Sequence, residues 1–336
     1  MKRLALICNS HHKKSEAFDY IFEILSKWYK CDRLWDEEWN GGEGISPKDI
    51  NVGNYDVLVF AQLFPKHKLL KKLKCKNIVW LPMFDSEVGK PKSKYLSLLV
   101  DKVKVFSFSR ELFNTMKEFG LDVEYGQFFP KPMRMLNKNN NLLTVFYWPR
   151  VEVMSWDIVK KLLGNEFKGN VIIQDVPDPK NSFIRPSSED IKKYNIRFID
   201  YWMDFAENLK TRAECDIFIA PRLYEGIGLT FLESMASGVA VISPNNSTMN
   251  EYIKDGYNGY LYDTNSPKKV DLSNIRNVKA NAYKSIKEGY YRWSNDMKVL
   301  YEVCERRYKN NASFTQNLFS KIYIFSGNFK NIIPKK

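Results

Sequence analysis

Short apolar runs recur along the first 130 residues, and the stretches between them space their apolar positions for helices. Leu4–Cys8, Asp56–Phe60, Asn77–Leu81 and Val103–Phe108 read as strands. Between the first two, Ser15–Tyr29 puts Phe18, Ile21, Phe22, Leu25 and Tyr29 on one helical face, and after the last the pattern predicts a helix over Arg110–Phe119 stopped by Gly120. Strands apolar on both faces and alternating with helices predict a parallel sheet covered on both sides. The alternation pauses at Phe128-Phe129-Pro130-Lys131-Pro132 and a polar stretch ending Asn139-Asn140-Asn141, the composition of a linker. It then restarts, with strands at Leu142–Tyr147, Val171–Ile173, Ile196–Ile199, Ile217–Ala220 and Val239–Ser243 and helices at Ser155–Leu163, Phe205–Arg212 and Leu229–Ser237. The pattern predicts an α/β protein of two Rossmann-like domains facing a central cleft, 1–136 and 137–296, followed by a helical segment, 297–336. Ligands of such sheets bind beyond the carboxyl ends of the strands.

Composition narrows the class. The chain has 336 residues, 44% hydrophobic and 27% charged, which excludes a disordered or fibrous protein and gives room for large cores without disulfides or metals. Five cysteines without C-x-x-C spacing and only three histidines argue against a disulfide framework, a zinc knuckle or a multi-histidine metal site, and fit a reducing, cytoplasmic setting. Lys2-Arg3 before Leu4–Cys8 imitates a signal peptide, but the apolar run is too short and no small-residue cleavage site comes after it. No apolar run approaches the roughly 20 residues that span a bilayer. The net charge of +13 admits nucleic acid, anionic membrane or phosphorylated substrates as partners.

The chemistry concentrates in 215–263. Pro221 ends the strand Ile217–Ala220, a loop runs to Gly228, and the helix from Leu229 stops at Gly238. Backbone N–H groups of Ile227, Gly228, Leu229 and Thr230 then point out of a helix start at a strand's carboxyl end, and Gly226 and Gly228 admit a ligand close to the backbone. That is an anion site suited to phosphate. Two carboxylates, Glu225 and Glu233, frame it. They make sense as acceptors for neutral ribose and sugar hydroxyls on the same ligand rather than for the phosphate.

The run Glu225-Gly226-Ile227-Gly228 through Glu233-Ser234-Met235-Ala236-Ser237-Gly238 and Val241-Ile242 closely resembles the signature of glycosyltransferase family 4, the glycosyl transferases group 1. Asn250-Glu251-Tyr252-Ile253 and Asp255-Gly256-Tyr257-Asn258-Gly259 resemble the family's stretch downstream of that signature, and over the rest of the chain the strand–helix order is consistent with the family. The resemblance implies a retaining, metal-independent enzyme of GT-B fold that takes a UDP-, GDP- or dTDP-sugar, needs no cofactor, and serves a lipid-linked or polysaccharide acceptor. By the same resemblance Glu233 binds ribose hydroxyls, Glu225 contacts the donor sugar near the reacting carbon, the N–H groups of 227–230 hold sugar and β-phosphate, Arg150 neutralises the diphosphate, and the loop Asp200-Tyr201-Trp202 cradles the base. The implied mechanism is front-face substitution.

The chain also departs from the family pattern. Ser155 and Trp156 stand where a lysine is usual, so Arg222 is the candidate second cation, with pairing to a surface acid as the alternative. Asn9-Ser10-His11-His12-Lys13 replaces a glycine-rich loop, which leaves Ser10 and His11 as acceptor-side candidates. Phe84 stands where a histidine is usual, and Asp85 beside it either meets acceptor or donor hydroxyls or caps a helix. The window 66–104 carries 11 lysines against Asp85, Glu87 and Asp101. Within it, 66–76 has the pattern either of a helix lying on an anionic membrane or of a solvated helix packed by three leucines. The aromatic, basic stretch Phe314–Lys336 either packs back on the first domain or adds a membrane contact. A nucleotide-sugar epimerase of the same architecture lacks the paired glutamates. A nucleic-acid binder has no need of them, so nucleic acid is not an expected partner.

Overall fold

A computed structural model of the chain describes residues 1–15, 17–133, 135 and 142–326. The parts of the linker and of the C-terminal stretch that fall on 134, 136–141 and 327–336 lie outside the described residues. Two compact units form: Met1–Gln127 with Ser294–Lys336, and Phe128–Trp293.

The first unit holds a six-stranded parallel sheet of β1 (Arg3–Asn9), β2 (Lys30–Asp36), β3 (Val57–Ala61), β4 (Ile78–Leu81), β5 (Lys104–Ser107) and β6 (Val123–Tyr125), in the order β2-β1-β3-β4-β5-β6. Residues 4–8 and 57–61 are almost wholly buried, as strands covered on both faces must be. The N-terminal helical pattern is realised as a shorter helix, Asp19–Ser26, because Trp28 and Tyr29 turn away to pack on Tyr301, and Tyr29 Oη donates to Glu305 at 2.7 Å. Ser109 caps the helix Arg110–Glu118 by accepting from Leu112 N–H. Gly120 comes next at φ +77°, where a Cβ would lie 2.5 Å from Ala312 Cα.

That close approach belongs to a C-terminal strap. The long helix Ile275–Glu305 gives its residues from Ser294 onward to this unit. Beyond it, Arg306 donates to both oxygens of buried Asp122 at 2.6 and 2.5 Å, and Lys309 N–H adds a third bond at 2.6 Å. Lys104, buried in β5, donates to the carbonyl of Arg306 at 2.8 Å, and burial presses its ammonium down to about 8. The helix Phe314–Ser326 then packs against the helix Leu96–Val100.

The second unit holds β7 (Thr144–Tyr147), β8 (Asn170–Gln174), β9 (Ile196–Ile199), β10 (Ile217–Ile219), β11 (Ala240–Pro244) and β12 (Tyr260–Tyr262), all parallel, in the order β12-β11-β10-β7-β8-β9. The chain winds outward from β7 in both directions, so β7 and β10 flank the point where the strand order reverses. Connections diverge there and leave a crevice at the carboxyl edge. Its core runs through Val145, Tyr147, Ile173, Ile219 and Ile242.

Candidate functional site

The crevice of the second unit is built by three loops. Trp148, Pro149 and Arg150 come after β7, Asp178 lies in the loop after β8, and Arg222 to Gly228 come after β10. Arg150 Nε donates to Asp178 Oδ1 at 2.9 Å, and Arg222 pairs with the other oxygen of the same carboxylate. The backbone locks this meeting, since Asp178 N–H donates to the Arg150 carbonyl at 2.9 Å. Burial, and then the nearby Arg222 charge, press the Arg150 guanidinium below its usual range, while Asp178 and Glu225 oppose them. Both candidate cations are therefore brought together, and Asp178, 28 and 44 residues from them in sequence, is the group that does it.

The loop from Pro221 is pinned from behind. Asn246 Nδ2 donates to the Leu223 carbonyl at 3.0 Å, and Thr248 Oγ1 lies 3.3 and 3.2 Å from the carbonyls of Glu225 and Ile227. Gly226 and Ile227 are buried in it. Gly228 caps the helix Leu229–Ala236 at φ +85°, and a Cβ there would fall 1.9 Å from Phe231 Cε1, so no other residue fits. No side chain caps this helix, which leaves its first N–H groups, including those of Leu229 and Thr230, to a ligand or water. The positive end of the helix dipole adds to the anion preference.

Glu225 is buried in the loop, where its charge acts on Arg150. Glu233 is held by a partner the sequence did not single out. Arg212, fully buried at the end of the helix Phe205–Ala213, donates to Glu233 Oε2 at 2.7 Å, to the Thr230 carbonyl at 2.5 Å and to Ser234 Oγ at 3.1 Å. Asn208 Oδ1 accepts from Arg212 Nε at 2.8 Å and Asn208 donates in turn to Gln174 at 2.8 Å, so the network reaches the end of β8. Burial pushes the Glu233 carboxyl up, and the Arg212 guanidinium only partly offsets it.

Asp200 and Tyr201 come after β9, the edge strand two places from β7. Both are exposed, and Tyr201 Oη donates to Glu207 at 2.6 Å. The next residue, Trp202, is exposed as well, but its ring meets Trp148 edge-on at 5.4 Å, and Arg150 stacks over Trp148 at 4.6 Å.

In the first unit the corresponding switch point lies between β1 and β3. Ser10 bonds to Glu37 and accepts from Trp39 Nε1 at 2.9 Å, and His11 sits edge-on to Trp39. His12, just beyond β1, lies 2.8 Å from Gln62 Oε1 beyond β3, and Gln62 donates to Ser86 at 2.6 Å beside Asp85 beyond β4. Burial lowers His12 below its usual range, with Gln62 and Asp85 opposing it. Asp85 lies within the short helix Phe84–Glu87 rather than at its cap, and Phe84 is buried. Among the described residues no group of three or more His, Cys, Asp or Glu is placed to hold a metal ion, and no helix is long and apolar enough to cross a membrane.

Two six-stranded parallel sheets flanked by helices give the chain a GT-B fold, with the uncapped helix start between Glu225 and Glu233 at the switch point of the second sheet. Residues 180–275, which contain the loop, the helix start and both glutamates, match the family described as glycosyl transferases group 1. Among solved structures the fold is similar to sucrose-phosphate synthase from Thermosynechococcus elongatus (TM-score 0.64, 11% identity, 90% of this chain and 98% of that one). It is also similar to a glycosyltransferase from Rickettsia africae (0.60, 11%, 91% and 99%) and to Anabaena HepE in complex with UDP and glucose (0.56, 10%, 90% and 100%). No curated protein matches the chain by sequence.

Proposed function

We propose that the chain transfers a sugar from a nucleotide-sugar to a hydroxyl of a glycan or lipid-linked acceptor, with retention at the anomeric carbon and without a metal ion. The observation that carries this is the convergence of Arg150, Arg222 and the uncapped helix start at Gly228 between Glu225 and Glu233, all at the β7/β10 crevice. HepE, whose fold is similar, holds UDP and glucose, which supports a nucleotide-sugar as donor.

Glu233, fixed by Arg212, accepts hydrogen bonds from the ribose hydroxyls, and Glu225 accepts from the donor sugar. Arg150, Arg222 and the N–H groups of 227–230 take the diphosphate. As the bond from the sugar's anomeric carbon to the β-phosphate oxygen breaks, negative charge grows on the departing diphosphate. Two guanidiniums and a helix start stabilise it there, each well-placed donor lowering the barrier by about 3–4 kcal/mol. The acceptor oxygen bonds to the anomeric carbon from the same face, and its proton passes to the departing phosphate oxygen, so retention results without a covalent intermediate. Trp202 and Trp148 form the stacking surface for the base, flanked by Asp200 and Tyr201. Acceptor recognition is assigned to Ser10, His11 and Asp85.

The test is a panel of UDP-, GDP- and dTDP-sugars, scored by thermal shift and by donor hydrolysis in the presence of a chelator, with the configuration of any product read by proton NMR. One donor family raising the melting temperature and hydrolysing without added metal is the expected result. A strict Mg²⁺ requirement, or an inverted product, overturns the reading.

A further inference from the structure

The C-terminal helix Phe314–Ser326 presents large apolar side chains on its outward face. Its inward arc, against Leu96–Val100, mixes half-buried Gln316, Asn317, Tyr323 and Ile324 with buried Ser320, and Gln316 Nε2 donates to the Glu118 carbonyl, at the end of the helix Arg110–Glu118, at 2.8 Å. Its outward arc is apolar. Phe314, Leu318 and Ile322, spaced four apart, form one stripe with Phe319 beside it, and Phe314, Leu318 and Phe319 are 85%, 46% and 44% exposed. A contiguous stripe of large apolar side chains facing solvent marks a surface that meets something.

The charge around it says what. The helix Leu96–Val100 beneath the stripe is flanked by exposed Lys92 and Lys102. His67 Nδ1, 2.8 Å from Asp101 at the end of that helix, ties in the turn that carries exposed Lys68, Lys71 and Lys72. Two of the window's three acids are turned inward or taken up: Glu87 is buried against Lys94 at 2.5 Å and Tyr95 at 2.8 Å, and Asp101 is held by His67. The leucines of 66–76 do not add to the apolar stripe, since Leu70 and Leu73 are buried in the core; that turn contributes charge alone.

From this we infer that the outward face of Phe314–Ser326, with the flanking lysines, is a docking surface for an anionic lipid bilayer. Phenylalanine and leucine side chains enter the acyl boundary while lysines meet the headgroups, each lysine near the surface strengthening binding about fivefold. A second copy of the same face would set lysines against lysines, which disfavours self-association. The inference goes beyond the transfer reaction and does not depend on it.

The test uses the full chain in cosedimentation with vesicles of neutral phosphatidylcholine and with vesicles containing about a third phosphatidylglycerol, at low and high salt. The wild type is expected to bind the anionic vesicles at least about tenfold more tightly than the neutral ones at low salt, and to lose most of that preference at high salt. Phe314→Ser/Leu318→Ser/Phe319→Ser, all at exposed positions, is expected to weaken binding to anionic vesicles by about tenfold or more. Lys68→Glu/Lys71→Glu/Lys92→Glu is expected to abolish the preference for anionic lipid. Both variants keep wild-type donor hydrolysis, which separates failure here from failure of the transferase reading. No binding by the wild type at low salt, or equal binding by the serine variant, overturns the inference. So does a wild-type dimer in vesicle-free buffer that the serine variant dissociates, because the face is then an interface between copies.

Discussion

Replacing Arg212 by Met removes the guanidinium held against Glu233 and leaves four acceptors to rearrange: Glu233 Oε2, the Thr230 carbonyl, Ser234 Oγ and Asn208 Oδ1. Breaking one side of a buried pair costs about 3–5 kcal/mol because the remaining charge stays uncompensated. Here the carboxylate has an escape, which is to take up a proton. Protonating an ordinary glutamate of pKa about 4.5 costs roughly 3.4 kcal/mol at about pH 7, at 1.36 kcal/mol per unit, and only about 0.7 at pH 5. The carboxylate's share of the penalty is therefore capped by protonation, and the cap falls with pH. The sign comes from proton binding. In the variant the folded state holds a proton on Glu233 that the unfolded state releases, so stability falls as pH rises above the unfolded pKa and returns as pH is lowered. Urea unfolding of wild type and Arg212→Met at about pH 5 and pH 7 reads this directly. The stability gap is expected to shrink by about 2 kcal/mol or more at the lower pH, and Glu233→Gln added to Arg212→Met is expected to recover a similar amount at the higher pH. Calorimetry is expected to show nucleoside diphosphate binding about ten- to a hundredfold weaker in Arg212→Met at neutral pH, through loss of charged acceptance to the ribose. A stability gap equal at both pH values and not relieved by Glu233→Gln refutes the idea that Arg212 serves the Glu233 charge.

Other perturbations give separate readings. In the wild type, burial holds the Glu233 pKa above that of an ordinary glutamate, so nucleotide affinity is expected to decline on acidification before an ordinary carboxylate would protonate, with the decline absent in Glu233→Gln. Asp178→Asn keeps the size of the group that joins Arg150 and Arg222 but removes its charge; diphosphate binding is expected to tighten by about three- to tenfold, read by calorimetry, and weakened binding would show that Asp178 serves mainly to place the arginines. Gly228→Ala forces a Cβ into Phe231 at a left-handed backbone position, and about 1–3 kcal/mol of stability together with nucleotide binding is expected to be lost. Asp122→Ala leaves Arg306 and the Lys309 N–H without their buried acceptor; a loss of about 3–5 kcal/mol in urea and new protease cleavage near 306–312 are expected.

What the sequence revealed and what it hid divide along physical lines. Strands buried on both faces announce themselves as unbroken apolar runs, so β1, β3, β4, β7, β10 and β11 were legible. Edge strand β2, reading Lys-Cys-Asp-Arg-Leu-Trp-Asp, was not: it pairs with one neighbour only, and its charges are satisfied laterally by Arg3 on Asp32 and Arg33 on Asp19. The short edge strand β12 carried too few residues for a pattern. In the site, the glycines and glutamates of 225–233 could be found because their geometry is local, set within one turn and one helix start. Asp178 and Arg212 could not, because they meet their partners across loops and helices 21 to 44 residues away, and nothing in an isolated Asp or Arg marks it as buried.

The most direct test of the donor site is titration of UDP, GDP and dTDP into the wild type and into Glu233→Ala, by calorimetry in the presence of a chelator. Saturable binding of one of these nucleotides to the wild type, weakened by about tenfold or more in a folded Glu233→Ala protein, is the predicted result. Binding that requires a divalent cation, or that is unchanged when Glu233 is removed, would contradict it.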